Sequence, residues 1–320
     1  MAALRIAVLG QSPLTTARLA AIRSHPDTEL AGSWTLAAAR KLGPDKLETL
    51  VAETPADVIA LDLPGDLASR AALAALGAGR HVLSTLPGGR TVEDIVNLRE
   101  AEQRSGKQLK FGSSLRYHQS VREAYRHMAT GKFGDLLTAR AVYGHTGLPD
   151  AEAEASGILL GHGIHMIDLL HLFCGPFETC KAMRDRDEAP ESNVFAILKS
   201  GSGTLAQLHA SATSWRQTFR LELGFEEGYL WLDGHLPGLK GYGPEVLVHA
   251  MLERDGRGRP IANPPENIVE YDTAPSGAAE IDELLAATSG TSPLANGTSH
   301  QAFDAMNIAQ RICAAAERWA

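Results

Sequence analysis

Up to residue 112 the chain alternates short apolar runs with helical stretches, and this order constrains the fold more than any other feature. Residues 4–9 form an apolar run that ends at Gly10 and leads into a helical stretch to about Arg23. Residues 30–34 and 58–63 read as the next strands, the latter entered from Asp57 and closed by Pro64. An alanine- and leucine-rich helix over 68–79, a strand over 81–84, a helix over 92–105 and a strand over 109–111 follow. Strands separated by helices pair in parallel through crossovers, which leaves a sheet covered on both faces.

After Gly112 the pattern changes. Residues 121–130 read as a helix closed by Gly131, 136–143 as a strand, and 159–173 as an apolar helix. Strand-like runs then occupy 194–199, 204–212, 219–225 and 229–233, several beside glycine-bearing turns such as 200–203, as an antiparallel sheet requires. Residues 234–244 read as a loop, and 278–287 and 299–319 as helices. Asn296-Gly297-Thr298 has the form of a glycosylation sequon but reads as a turn followed by a helix cap.

Composition bounds the function classes. With 320 residues, 44% hydrophobic and 21% charged, the chain has the make-up of a soluble globular protein. A formal charge of −8 argues against a nucleic-acid-binding surface. No apolar run is expected to reach the roughly 18–20 residues that span a bilayer, so no membrane partner is expected. The first residues run straight into a strand without a basic start and cleavage site. Cys174, Cys180 and Cys313 have no metal-ligand spacing and are odd in number, so reduced thiols in a cytoplasmic protein are expected.

Several blocks, in order, carry a family resemblance. Residues 78–87, AGRHVLSTLP, resemble the "aGkHVlcEKP" block of the Gfo/Idh/MocA family, named for glucose–fructose oxidoreductase, inositol dehydrogenase and rhizopine catabolism. Residues 112–118, GSSLRYH, resemble "g-x-x-x-R-f-h", and 131–134, GKFG, resemble "GkiG". Residues 157–168, GILLGHGIHMID, are similar to "GgiLlDqGiHmiD", and His209-Ala210-Ser211 is similar to "h-a-S". The resemblance implies an α/β chain with a Rossmann-like parallel-sheet domain over 1–112. An α+β domain over 113–320, with a large, mostly antiparallel open sheet, would carry the substrate and oligomer contacts. It further implies an oxidoreductase acting on a sugar-like or cyclitol ligand, NAD or NADP as cofactor, and a homo-oligomer (dimer or tetramer) built through the C-terminal sheet.

A dinucleotide site needs a glycine-rich turn that lets backbone approach the diphosphate at a helix N-terminus. Here the three fingerprint positions are Gly10, Ser12 and Thr15, and Pro13 removes one donor. The acidic residue expected at the end of the second strand is Thr35, with Arg40 nearby, and about one helix and a connector are expected before Asp57. Pro64, after the next strand, and Pro87 complete the candidate cofactor positions. The segments read either as a folded scaffold without dinucleotide or as an atypical dinucleotide site.

Inositol dehydrogenase-like members use a lysine, an aspartate and a histidine at the reacting carbinol. By resemblance these fall on Leu86, Gly161 and His165. His162 stands where the family has glutamine, which makes His165 and His162 the candidate catalytic pair. Arg116, His118, His145 and Asp168 are candidate substrate contacts; Arg116 and Asp168 are equally suited to structural pairing, and His145 to the surface. Metal ligation by His162, His165 and Asp168 is a further alternative, whereas His171 reads as a half-buried core histidine. Trp34, Tyr117, Trp215 and Tyr242 suit either a sugar-ring wall or ordinary packing, and alternation leaves the face of His209 open. Three functional readings remain. The scaffold has lost its hydride-transfer machinery and is a pseudo-dehydrogenase or binding protein; it is a working NAD(P)-dependent sugar or polyol dehydrogenase; or it is a cofactor-independent epimerase or dehydratase using His165 and His162.

Overall fold

A computed structural model describes residues 3–146, 156–185, 190–234, 245–272 and 276–317. The chain divides into two compact units, one made of Met1–Tyr117 with Pro275–Asn307, the other of His118–Ala274 with Ile308–Ala320.

The first unit is built on five parallel strands, β1 (Leu4–Gly10), β2 (Thr28–Trp34), β3 (Val58–Asp62), β4 (His81–Thr85) and β5 (Leu109–Gly112), in the order β2-β1-β3-β4-β5. Helices α1 (Pro13–Ser24), α2 (Leu36–Leu42), α3 (Pro44–Glu53), α4 (Gly65–Gly77) and α5 (Val92–Ser105) make the connections. Ile6 to Leu9 and Val58 to Leu61 are buried in unbroken runs, as central strands covered on both faces must be. Two helices, rather than the one expected, separate β2 from β3. Gly43 has φ +77 and Pro44 starts α3, so the chain turns where a single helix would have continued.

The chain returns to this unit late. Ile281 and Leu284 of α8 (Ser276–Thr288) complete a core with Ile6, Val8, Ile22, Val58, Ala60 and Leu83. Arg18 is fully buried and forks onto Glu280, with Nε 2.8 Å and Nη2 3.2 Å from the two carboxylate oxygens. Lys110, also fully buried, donates to the Tyr117 hydroxyl at 2.7 Å and to the Asn296 carbonyl at 2.6 Å. Gly297, at φ +69, accepts from the Phe111 N–H at 2.6 Å. Thr298 and Gln301 then exchange side-chain and backbone bonds at the start of α9 (Ser299–Ala315), so the 296–298 triplet is a turn and cap as expected.

The second unit holds a nine-stranded sheet. Its strands are β6 (Leu136–Thr146), β7 (Phe177–Arg184), β8 (Asn193–Ser200), β9 (Leu205–Ser211), β10 (Thr213–Phe225), β11 (Gly228–Asp233), β12 (Glu245–Met251), β13 (Asn267–Tyr271) and β14 (Ala316–Glu317). Their order is β13-β12-β11-β10-β6-β9-β8-β7-β14. All pairs are antiparallel except β6 with β9 and β14 with β7. The last helix stops at Ala315 instead of running to Trp319, because residues 316–317 join the sheet beside Ala182 and Met183. The expected loop over 234–244 lies, beyond Gly234, outside the described residues. Helices α6 (Gln119–Ala129) and α7 (Ile164–Cys174) belong to the same unit, with a π-helical turn over Leu159–Gly163 leading into α7. The helical stretch Ser156–Cys174 is, contrary to expectation, long and apolar enough to cross a membrane; it is 67% buried inside the protein. Its Met166, Ile167, Leu169 and Leu170 are wholly enclosed, which marks a core helix.

Candidate functional site

The β1–α1 turn is held together by one carboxylate. Ser12 caps α1, its hydroxyl accepting from the N–H groups of Leu14 at 3.1 Å and Thr15 at 3.3 Å. The Ser12 and Thr15 hydroxyls both donate to the same oxygen of Asp62, at the end of β3. The Thr16 N–H is used on the Ser12 carbonyl at 3.1 Å, and Pro13 has no N–H. Gly10 is obligatory here: a Cβ would stand 2.6 Å from both the Asp62 Cβ and the Thr15 hydroxyl oxygen. Asp62 was not singled out from the sequence. Only its position at the end of a central strand, where ligands meet doubly wound sheets, could have drawn attention to it.

The other candidate cofactor positions are structural in their visible bonds. Thr35 caps α2 by accepting from the Ala38 N–H at 3.2 Å. Pro64 is the residue preceding α4, and Leu86–Pro87 is a cis peptide with Leu86 buried.

In the second unit, the end of β6 and the π-helical turn bring three side chains together, Tyr143, His145 and His162, with His165 following on α7. The Tyr143 ring stacks on His162 at 5.1 Å between centroids, and His145 meets His162 edge-on at 4.6 Å. A π-helical turn widens the backbone locally and so redirects the side chains it carries. Its start is fixed by the buried Glu191, which accepts from the Leu159 N–H at 2.9 Å; its oxygens stand where a Cβ on Gly157 would be. Burial, and then the charges of His145 and His165, push the His162 pKa down to about 3. Burial also lowers His165, opposed by the Asp168 carboxylate, and burial holds the Tyr143 phenol well above its usual range. His162 Nδ1 is buried and makes no hydrogen bond among the described residues.

Each remaining candidate has its own place. His118 Nδ1 lies 3.0 Å from Glu245, whose other oxygen accepts from the Ser120 N–H at 2.6 Å, so His118 belongs to a buried pair at the start of α6. Arg116 is buried in a 3-10 turn over Ser114–Tyr117, and Asp168 is buried on α7. The His171 ring packs on Phe177, as expected of a core histidine. His209 stacks on Phe195 at 3.9 Å, which places it on the outer face of the large sheet. Tyr117 bonds Lys110 and Glu283, and the Trp34 ring closes over Gly32, so both are occupied internally. Trp215 is 89% exposed, and Tyr242 lies outside the described residues. Among the described residues, no three His, Cys, Asp or Glu side chains are placed to hold a metal ion.

Comparison with known proteins agrees with this layout. Residues 121–231 match the GFO/IDH/MocA C-terminal domain. Inositol 2-dehydrogenase 2 of Saccharopolyspora erythraea is 28% identical over 160 residues, covering 50% of this chain and 47% of that protein. The 1,5-anhydro-D-fructose reductase of Ensifer adhaerens is 29% identical over 195 residues, covering 56% of each. The chain thus spans about half the length of the curated relatives it matches. The WlbA dehydrogenase of Bordetella pertussis, solved with NADH and UDP-GlcNAcA, superposes with a TM-score of 0.78 at 17% identity, over 98% of this chain and 96% of that one. Residues 121–231 thus carry a GFO/IDH/MocA C-terminal domain, and the parallel five-stranded unit with a large mixed sheet is the fold shared with the solved structure.

Proposed function

We propose that this chain is a sugar- or polyol-directed member of the Gfo/Idh/MocA oxidoreductase family that does not seat a nicotinamide dinucleotide on the 10–15 turn. The observation that carries this reading is the Asp62 carboxylate accepting from both Ser12 and Thr15. A diphosphate needs free N–H donors and no competing anion. Here the first-turn N–H groups of Leu14, Thr15 and Thr16 are spent on Ser12, and a carboxylate lies against the turn. Like charges a few ångströms apart repel strongly where water is scarce. The turn therefore does not fit the family's cofactor.

The Tyr143–His145–His162–His165 cluster suits a neutral polyhydroxylated ligand. With a pKa of about 3, His162 is uncharged near pH 7, and the Tyr143 phenol keeps its proton. Neutral imidazoles and a phenol both donate and accept hydrogen bonds, as sugar hydroxyls do. A neutral His162 lacks the imidazolium proton that a general acid gives, which weighs against epimerisation or dehydration by a His165–His162 pair. Leu86 and Gly161 supply neither the lysine nor the aspartate of inositol dehydrogenase-like members, and each such group contributes about 10²–10⁴-fold to rate.

A second reading, a working NAD(P)-dependent sugar or polyol dehydrogenase, is favoured by His165 with Asp168 near it and by the dehydrogenase and reductase relatives. Self-association is supported by the outer face of the large sheet, where Phe195, Ile197, Leu205 and Trp231 are exposed. The free thiols Cys174, Cys180 and Cys313 support a reducing compartment.

Mass spectrometry of small molecules released from the purified protein separates the two readings. A neutral sugar or cyclitol without dinucleotide is expected; stoichiometric NAD(H) or NADP(H) would transfer the assignment to the dehydrogenase.

A further inference from the structure

One irregularity in the large sheet stands directly across from the histidine cluster. Along the β6–β10 ladder, Thr213 pairs with Thr146 and Thr218 with Gly144, so residues 214–217 all bulge out opposite the single residue His145. Bulges of this kind recur beside active sites, where they redirect side chains.

This bulge is pinned at both ends. Thr213 is fixed by Asn193, whose Nδ2 lies 3.0 Å from its hydroxyl, and its N–H donates to the Ser211 hydroxyl at 3.1 Å. Thr218 donates to the Arg216 carbonyl at 3.1 Å, and Thr146 to the Ser214 carbonyl at 2.7 Å. Gly144 makes room for it, since a Cβ there would stand 2.4 Å from the Ser214 hydroxyl oxygen. A structure held this firmly nevertheless leaves its two largest uncharged side chains unused. The Trp215 ring is 89% exposed, and the Gln217 Oε1 is buried without a hydrogen bond among the described residues. The Trp215 ring thus packs on little of the protein, and buried polar atoms such as Gln217 Oε1 are nearly always paired.

We infer that the 214–217 bulge is a carbohydrate subsite, in which the Trp215 ring takes the apolar C–H face of a sugar or cyclitol ring and the Gln217 amide bonds its hydroxyls. An aromatic plane and a planar amide supply the two complementary contacts a pyranose or cyclitol offers, apolar faces and a polar rim. The inference rests on the reading of the histidine cluster as the site of a polyhydroxylated ligand, and adds the residues that select its ring.

Calorimetric titration with myo-inositol and D-glucose tests it, using wild type, Trp215→Ala, Trp215→Phe, Gln217→Ala and His162→Ala. Wild type is expected to bind at least one of the two, with affinity about tenfold weaker in Trp215→Ala and Gln217→Ala and close to wild type in Trp215→Phe. Trp215 is on the surface, so its variants are expected to fold normally, which unfolding curves check. Loss of binding in His162→Ala with none in the Trp215 and Gln217 variants would overturn the subsite and leave the cluster reading standing. Loss in the bulge variants with none in His162→Ala would keep the subsite and overturn the cluster. No binding to wild type at about 10 mM overturns both. Unchanged sugar binding with a smaller solution mass in Trp215→Ala would make the ring a contact between copies instead.

Discussion

Ser12 and Asp62, 50 residues apart, are joined hydroxyl to carboxylate at the end of two adjacent parallel strands. This bond converts a helix N-terminus that would ordinarily attract an anion into one already supplied with its own. If the Asp62 carboxylate is what excludes a diphosphate, removing it is expected to create affinity. The double variant Ser12→Gly/Asp62→Ala should bind NADH or NADPH at least about tenfold more tightly than wild type in a fluorescence titration. No gain over wild type would mean that something else governs the turn.

The Arg18–Glu280 pair joins α1 to the returning helix α8 with both side chains enclosed. Breaking one half strands the other charge in the interior. Arg18→Met is expected to cost about 3–5 kcal/mol in denaturant unfolding, and Arg18→Met with Glu280→Leu to recover most of it.

His118 and Glu245 set an acid limit. Burial alone would raise the Glu245 pKa, but hydrogen bonds from His118 and Ser120 outweigh it and leave the carboxyl below its ordinary 4.5. A depressed carboxyl contributes stability that is fully present above the unfolded value and fades as pH falls through the folded one. Glu245→Gln should therefore flatten the loss of stability below about pH 4.5, compared with wild type in parallel melts. Equal slopes would contradict the pairing.

His162 acts in the same direction for a different reason. Its folded pKa of about 3 lies below the ordinary 6.5, so the unfolded chain takes up this proton first. Stability is expected to fall as pH drops below 6.5, and the His162→Phe variant should lose part of that fall. In a histidine-resolved NMR titration, the His162 resonances should stay fixed between about pH 8 and pH 5. Movement with a midpoint near 6.5 would mean that the ring is solvated.

Much of the fold was legible because periodicity is local. The alternation of apolar runs and helices over residues 4–111 read correctly as a parallel sheet, and the block around His165 lies within the matched C-terminal domain. Relations between distant residues were not legible. Nothing near Ile281 or Glu283 announces that α8 belongs with β1 and β5, because an amphipathic helix does not name the surface it covers. Asp62 likewise reads as the polar end of a strand until Ser12 and Thr15 are seen beside it. The short β12 and β13 escaped because they follow a glycine- and proline-rich stretch that reads only as loop. The bulge was hidden because residues 213–225 form one β-strand whose register is set by its partner.

The central claim is that the 10–15 turn carries its own anion in place of a coenzyme. Calorimetric titration of wild type with NAD⁺, NADH, NADP⁺ and NADPH addresses it most directly. Dissociation constants no tighter than about 1 mM are expected for all four, whereas micromolar binding of any one would contradict it.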